Sequence, residues 1–127
     1  MRIDRFDHIV LTVADVDASV RFYTSVLGMR EHTFDHGRKA LEFGSSKINL
    51  HQLGHEVEPH ARRPTPGSAD LCLIVDQPVD EVVAELERRG VAIEIGPVDR
   101  TGAQGPLVSV YIRDPDQNLV ELSNYRT

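Results

Sequence analysis

Residues 8–28, HIVLTVADVDASVRFYTSVLG, and residues 70–90, DLCLIVDQPVDEVVAELERRG, follow one plan. Each opens on a short apolar run, His8 to Val13 and Asp70 to Val75, bounded by charged residues as a strand is. Each continues with apolar residues at helical spacing: Val16, Val20, Tyr23 and Leu27 in the first, and Val79, Val82, Val83 and Leu86 in the second. Asp15 or Asp17 can cap the first helix, and Pro78 suits the first turn of the second. Gly28 and Gly90 stand where a helix C-terminus takes a left-handed residue, and Arg88 and Arg89 favour that end of the second helix.

Working outward, Arg30–Phe34, Arg38–Phe43 and Lys47–Gln52 read as strands after the first helix, with turns at Asp35-His36-Gly37 and Gly44-Ser45-Ser46. After the second helix, Val91–Ile95, Leu107–Arg113 and Leu119–Ser123 read as strands. Gly96–Pro106 reads as a glycine-containing loop and Asp114–Asn118 as a turn. The stretch 54–69 is rich in proline, histidine and glycine and has no period, so it crosses between halves. The expectation is one α+β domain of two β-α-β-β-β modules, at about 4–53 and 70–124.

The chain has 127 residues, 40% of them hydrophobic and 27% charged, which suits a folded domain. Fourteen Lys and Arg against 20 Asp and Glu give a net charge of −6, so no concentrated basic surface recommends nucleic acid or an anionic membrane. A single cysteine excludes an intrachain disulfide and any multi-cysteine zinc site. No apolar run approaches the ~20 residues of a membrane span, and the charged start, MRIDRFDHIV, reads as no signal peptide. A cytoplasmic location is the expectation.

Strand alternation places Ile9, Leu11 and Val13 on one face of the first strand and His8, Val10 and Thr12 on the other. It likewise separates Leu71, Leu73 and Val75 from Asp70, Cys72 and Ile74. The aliphatic faces seat the helices. The other faces begin with His8 and Asp70 at the same place in the repeat. Overlaying the last strands of the modules makes Asn49 the partner of Glu121, with His51 two residues on. Several polar groups on one sheet face are costly to bury unless something satisfies them, and a divalent metal does so for imidazole and carboxylate. Strands also end at solvent, so His8 or Asp70 taken singly reads equally as a surface residue. Glu121 interrupts an apolar strand, as an outward-facing glutamate would too.

HIVLTVADVDASVRFYTSVLGM near the start and YIRDPDQNLVEL near the end resemble the two signatures of the vicinal oxygen chelate superfamily. That superfamily includes glyoxalase I, fosfomycin and bleomycin resistance proteins and extradiol dioxygenases. RKALEF, KINLHQ, PTPGSADLC and the RTGA stretch at 100–103 are similar to the glyoxalase-domain-containing 5 group and its bacterial virulence-protein relatives. The resemblance implies modules whose sheets curve around a metal cavity, often in a homodimer with cavities built from two subunits. Its usual metal positions fall on His8, on Asn49 or neighbouring His51, on Asp70, and on Glu121. The sequence departs from the pattern at two of them, since histidine is commoner where Asp70 stands and glutamate or glutamine where Asn49 stands. His8, His51, Asp70 and Glu121 are therefore the expected ligands of a divalent ion, zinc, nickel, cobalt, manganese or Fe(II). Asn49 and Arg100 are assigned to substrate binding.

The resemblance implies three functions: a glyoxalase-I-like lyase or isomerase with Glu121 as ligand and base, an extradiol ring-cleaving dioxygenase, or a non-catalytic binder of the resistance type. All three act on a small molecule. Arg100, in a glycine-flanked loop, is the best placed of Arg38, Lys39, Arg62, Arg63 and Arg100 to hold an anionic substrate. His32, His36, His55 and His60 are candidates for a histidine acid-base without positional support. Cys72 shares the face of Asp70, and Phe22 and Tyr23 read as packing.

Overall fold

Asp15 starts the first helix: its backbone is extended, with φ −148°, and its Oδ1 accepts from the N–H groups of Asp17 and Ala18 at 3.0 and 3.3 Å. The computed structural model that shows this cap describes residues 1–126. The chain divides into two units, Met1–Gly67 and Ser68–Thr127.

The first unit contains β1 (His8–Val13), α1 (Val16–Ser25), β2 (Arg30–Phe34), β3 (Arg38–Phe43) and β4 (Ser46–Gln52). Its sheet has the order β1-β4-β3-β2, with β1 parallel to β4 and the other pairs antiparallel. Leu11, Val13, Leu41, Ile48 and Leu50 are buried on one face of the sheet, and Tyr23 of α1 is fully buried. Register places Val10 opposite Asn49 and Asn49 opposite Ala40, so these three share the other face.

The second unit repeats the order with β5 (Asp70–Ile74), α2 (Val79–Arg88), β6 (Ile95–Gly102), β7 (Gly105–Arg113) and β8 (Leu119–Tyr125). Its sheet runs β5-β8-β7-β6, and β5 is parallel to β8. α2 buries Val79, Val82 and Leu86, each contributing about 1.5–3 kcal/mol relative to exposure. Gly90 has φ +70°, and the Val91 N–H passes over it to the Leu86 carbonyl at 2.9 Å, which closes the helix. Among the described residues, no helix is long and apolar enough to cross a membrane.

The largest departure from expectation follows α2. Of Val91–Ile95 only Ile95 is in a strand, and most of the expected loop 96–106 is β6 and the start of β7. The Glu94 N–H reaches the Tyr111 carbonyl at 2.8 Å, and the register shifts between Ile95 and Val98 before regular pairing resumes. Gly96 allows the shift: its φ is +114°, and a Cβ there would lie 2.5 Å from the Ser109 carbonyl oxygen. Pro97 donates no hydrogen bond, which an edge strand tolerates. Because β6 is mostly exposed, its sequence lacks the apolar alternation of a half-buried strand.

Candidate functional site

Glu121 is built into β8 by its neighbours. Register sets Cys72 of β5 on one side of it and Tyr111 of β7 on the other. Ser109 and Ser123, each two residues from one of these positions, share the face and are fully buried. Ser109 Oγ donates to Glu121 Oε2 at 2.6 Å, and the two serine hydroxyls lie 2.7 Å apart. Ser123 Oγ stands 3.4 Å from the same carboxylate oxygen and 3.4 Å from Cys72 Sγ. The Cys72 thiol also stands within hydrogen-bonding reach of the Glu121 carboxylate. Oε2 is the oxygen that the serines fix.

The carboxylate lines a pocket of about 390 Å³ within the second unit, whose wall includes Cys72, Ile74, Arg100, Leu107 and Tyr125. Arg100 lies on β6 and not in a closing loop, so it is a fixed arm. Its Nε donates to the Tyr111 hydroxyl at 2.9 Å, its Nη1 to the Asp99 carbonyl at 2.9 Å, and its Cζ lies 5.4 Å from the Tyr111 ring centroid. Withdrawal from water pushes the Cys72 thiol up, and the Glu121 and Asp70 charges add to this against the Ser123 hydrogen bond, so the sulfur stays protonated at neutral pH. Asp70 stands exposed at the start of β5, on the face that carries Cys72 and Glu121.

In the first unit, His8 Nδ1 lies 2.7 Å from Asp7 Oδ2, and that hydrogen bond is the main reason the Asp7 carboxyl is held below its ordinary 3.8. Asp7 accepts from Nδ1 and so orients the ring, as the carboxylate partner of a metal-ligating histidine does. Asn49 and His51 are buried on β4, and the guanidinium of Arg38 lies beside His51, with Nη2 3.5 Å from Nε2. Burial and that charge hold His51 below its ordinary 6.5.

The six nominated residues fall three to a unit: His8, Asn49 and His51 in the first, Asp70, Arg100 and Glu121 in the second. Among the described residues, no three of His, Cys, Asp and Glu stand together as a ready-made metal cluster. Each unit holds a group of metal-ligating chemistry with one atom anchored: in the first the His8 ring, by Asp7, and in the second the Glu121 carboxylate, by Ser109.

The other candidates divide clearly. Lys39 is engaged by Glu31 at 2.7 Å, His60 by Glu58 at 3.0 Å, and His32 stacks on Phe34. Arg62, Arg63, His36 and His55 are exposed. Reasoning from sequence missed Asp7, Tyr111 and the Ser109–Ser123 pair. Ser123 was within reach, since it lies two residues from Glu121 on the same strand face.

Comparison with known proteins places this geometry in context. The model of the glyoxalase/bleomycin resistance protein/dioxygenase superfamily matches residues 5–122. The virulence protein STM3117 of Salmonella typhimurium is 58% identical over 125 residues, covering 98% of this chain and 87% of that protein. Its crystal structure superposes with a TM-score of 0.98 at 57% identity, covering 99% of this chain and 100% of that one. The glyoxalase domain-containing protein RDO1 of Mycosarcoma maydis is 52% identical over 120 residues, 94% of this chain and 68% of that protein. The lactoylglutathione lyase of Agrobacterium tumefaciens shares the fold, with a TM-score of 0.74 at 24% identity, covering 97% of this chain and 95% of that one.

Proposed function

The chain belongs to the glyoxalase/bleomycin resistance protein/dioxygenase superfamily, and from that premise we propose that it is a divalent-metal-dependent, glyoxalase-I-like lyase or isomerase. Its substrate is a small, oxygenated, electrophilic molecule. The observation that carries this reading is the state of Glu121. One carboxylate oxygen is held at 2.6 Å by Ser109, in a carboxylate that lines a pocket with Arg100.

His8 and Glu121 are the first two ligands. Asp70 is the third in preference to His51, because His51 faces a permanent guanidinium charge at 3.5 Å, which opposes a divalent cation there. A zinc, nickel, cobalt, manganese or Fe(II) ion, when bound there, would supply stabilisation of negative charge on neighbouring substrate oxygens. The rest falls to the chain. Arg100 holds an anionic part of the substrate, and Asn49 hydrogen-bonds to it. Glu121 takes a proton from one substrate carbon and returns it to the adjacent carbon while the substrate's hydroxyl proton passes from one oxygen to the other, so the reaction is an isomerisation with no net loss of atoms. The Ser109 hydroxyl keeps that carboxylate from turning.

A homodimer belongs to the proposal. Val10 and Ile74 are 44% and 55% exposed on the strand faces that carry the nominated residues, and a second copy would cover apolar surface there.

The test is metal content by elemental mass spectrometry on protein purified without added metal or chelator, with native mass for the assembly. Hemithioacetal isomerisation, and oxygen uptake with catechols, are assayed alongside. Near-stoichiometric metal, lost in His8→Ala and Glu121→Gln, together with isomerisation, supports the reading. Oxygen uptake with a catechol moves the chain to the ring-cleaving dioxygenases. Ligand binding without turnover at full metal loading makes it a resistance-type binder. Failure to bind metal after reconstitution overturns the proposal.

A further inference from the structure

Asn49 and His51 lie two residues apart on β4 and are only 5% and 4% exposed. Ala40 stands opposite Asn49 on β3, so Arg38, two residues along, reaches the same face. Its Nη2 is 3.5 Å from His51 Nε2. A guanidinium has donors only, so Nε2 is the acceptor, and a neutral imidazole that accepts there carries its proton on Nδ1. Among the described residues, that Nδ1–H is buried without a partner, and so are Arg38 Nε–H and Asn49 Oδ1. Buried donors left unpaired, one of them cationic, are costly unless an acceptor arrives.

The surroundings favour a negative acceptor. Lys47 Nζ lies 4.2 Å from the centroid of the Phe34 ring, and Arg38 Cζ lies 4.8 Å from the same centroid. Acidic groups are present but do not fill the gap. Asp35 lies 3.9 Å from Arg38 Nη1 and points largely into water, Glu42 faces Lys47 in register, and Glu56 acts on His51 only through space.

We propose that Arg38, His51 and Asn49 form a subsite for a carboxylate group of the substrate. Arg38 Nε–H and His51 Nδ1–H donate to the carboxylate oxygens, and Asn49 Oδ1 takes a hydroxyl or amide donor of the same molecule. This deepens the proposed function and rests on its reading of that face as part of the substrate cavity, but it requires no metal.

The test is a nuclear magnetic resonance titration of chelator-treated protein with propionate and, separately, with propionamide, its neutral counterpart of nearly the same shape. Propionate is expected to shift the Arg38, Asn49 and His51 amides saturably in the millimolar range, and propionamide to leave them unmoved. Arg38→Met should weaken propionate about tenfold or more, as loss of a charge-assisted contact does. Lys39→Met, on the opposite face and paired with Glu31, should not. Arg38→Lys, which keeps charge but loses the fork, should weaken binding less, and it serves if the methionine variant does not fold. Equal responses to propionate and propionamide, or undiminished propionate binding in the Arg38 variants, would overturn the subsite. Because metal is removed throughout, these results stand apart from metal content, whose failure would count against the lyase reading alone.

Discussion

Gln52 and Asn124 make the same connection in the two units. Gln52 Oε1 accepts from the Val16 N–H at 3.1 Å and its Nε2 donates to the Ala14 carbonyl at 2.6 Å. Asn124 Oδ1 accepts from the Val79 N–H at 2.8 Å and its Nδ2 donates to the Val75 and Gln77 carbonyls at 3.2 and 3.0 Å. Each amide joins the last strand of its unit to the N-terminus of the helix. Three residues before them stand Asn49 and Glu121, so the repeat register pairs an amide with the carboxylate.

Because these amides satisfy helix-end and linker groups, Gln52→Ala and Asn124→Ala should each lower stability by about 1–3 kcal/mol. The loss should be larger at Asn124, which makes one bond more. Urea unfolding checks this. Equal stability of both variants and the parent would mean water replaces the amides at no cost.

The sequence disclosed the elements whose apolar pattern is enforced by burial. β1 has its expected bounds, α1 starts where expected but stops at Ser25, short of Leu27, and Tyr23 is fully buried as packing requires. β6 was hidden because an exposed edge strand needs no alternation, and only the Gly96 bulge betrays where it bends. Glu121 was legible as a carboxylate breaking an apolar strand. The Ser109 contact that orients it was not, because it joins strands through a register that sequence spacing does not reveal.

Cys72 lies beside Glu121 but is held protonated by withdrawal from water and by nearby carboxylates. Alkylation at neutral pH is therefore expected to be slower than that of a free thiol, and Cys72→Ser should keep turnover within about threefold, since only a thiolate is a strong nucleophile. Rapid labelling followed with iodoacetamide by mass spectrometry, or loss of turnover in the serine variant, would assign the sulfur a chemical part.

His51 makes stability depend on pH. Its folded pKa is depressed, by burial first and then by Arg38 and His60, against a smaller opposing pull from Glu56. Below the ordinary value of 6.5 the unfolded chain takes up the proton more readily, so stability present above that pH is lost as pH falls through the window beneath it. His60, raised by the Ala61 carbonyl and by Glu58, works with the opposite sign. The informative comparison is thus between parent and His51→Asn. The drop in melting temperature between about pH 8 and about pH 5.5 should be smaller in the variant. An identical drop in both proteins would place the titration elsewhere.

Ser109 offers the sharpest separation of positioning from ligation. Its hydroxyl, fully buried and 2.6 Å from Glu121 Oε2, restrains the carboxylate through that oxygen. Ser109→Ala should leave the chain folded and able to bind metal, with affinity reduced about 10–100-fold, the usual effect of losing a hydrogen bond that orients a ligand. Glu121→Gln should abolish metal retention at the same concentration. Measuring metal occupancy by competition with a chromogenic chelator distinguishes the two. If Ser109→Ala bound metal as tightly as the parent, the carboxylate would be held by its strand alone. If both variants retained metal fully, Glu121 would be no ligand, and its place in the pocket would have to be explained by substrate contact with Arg100 alongside it.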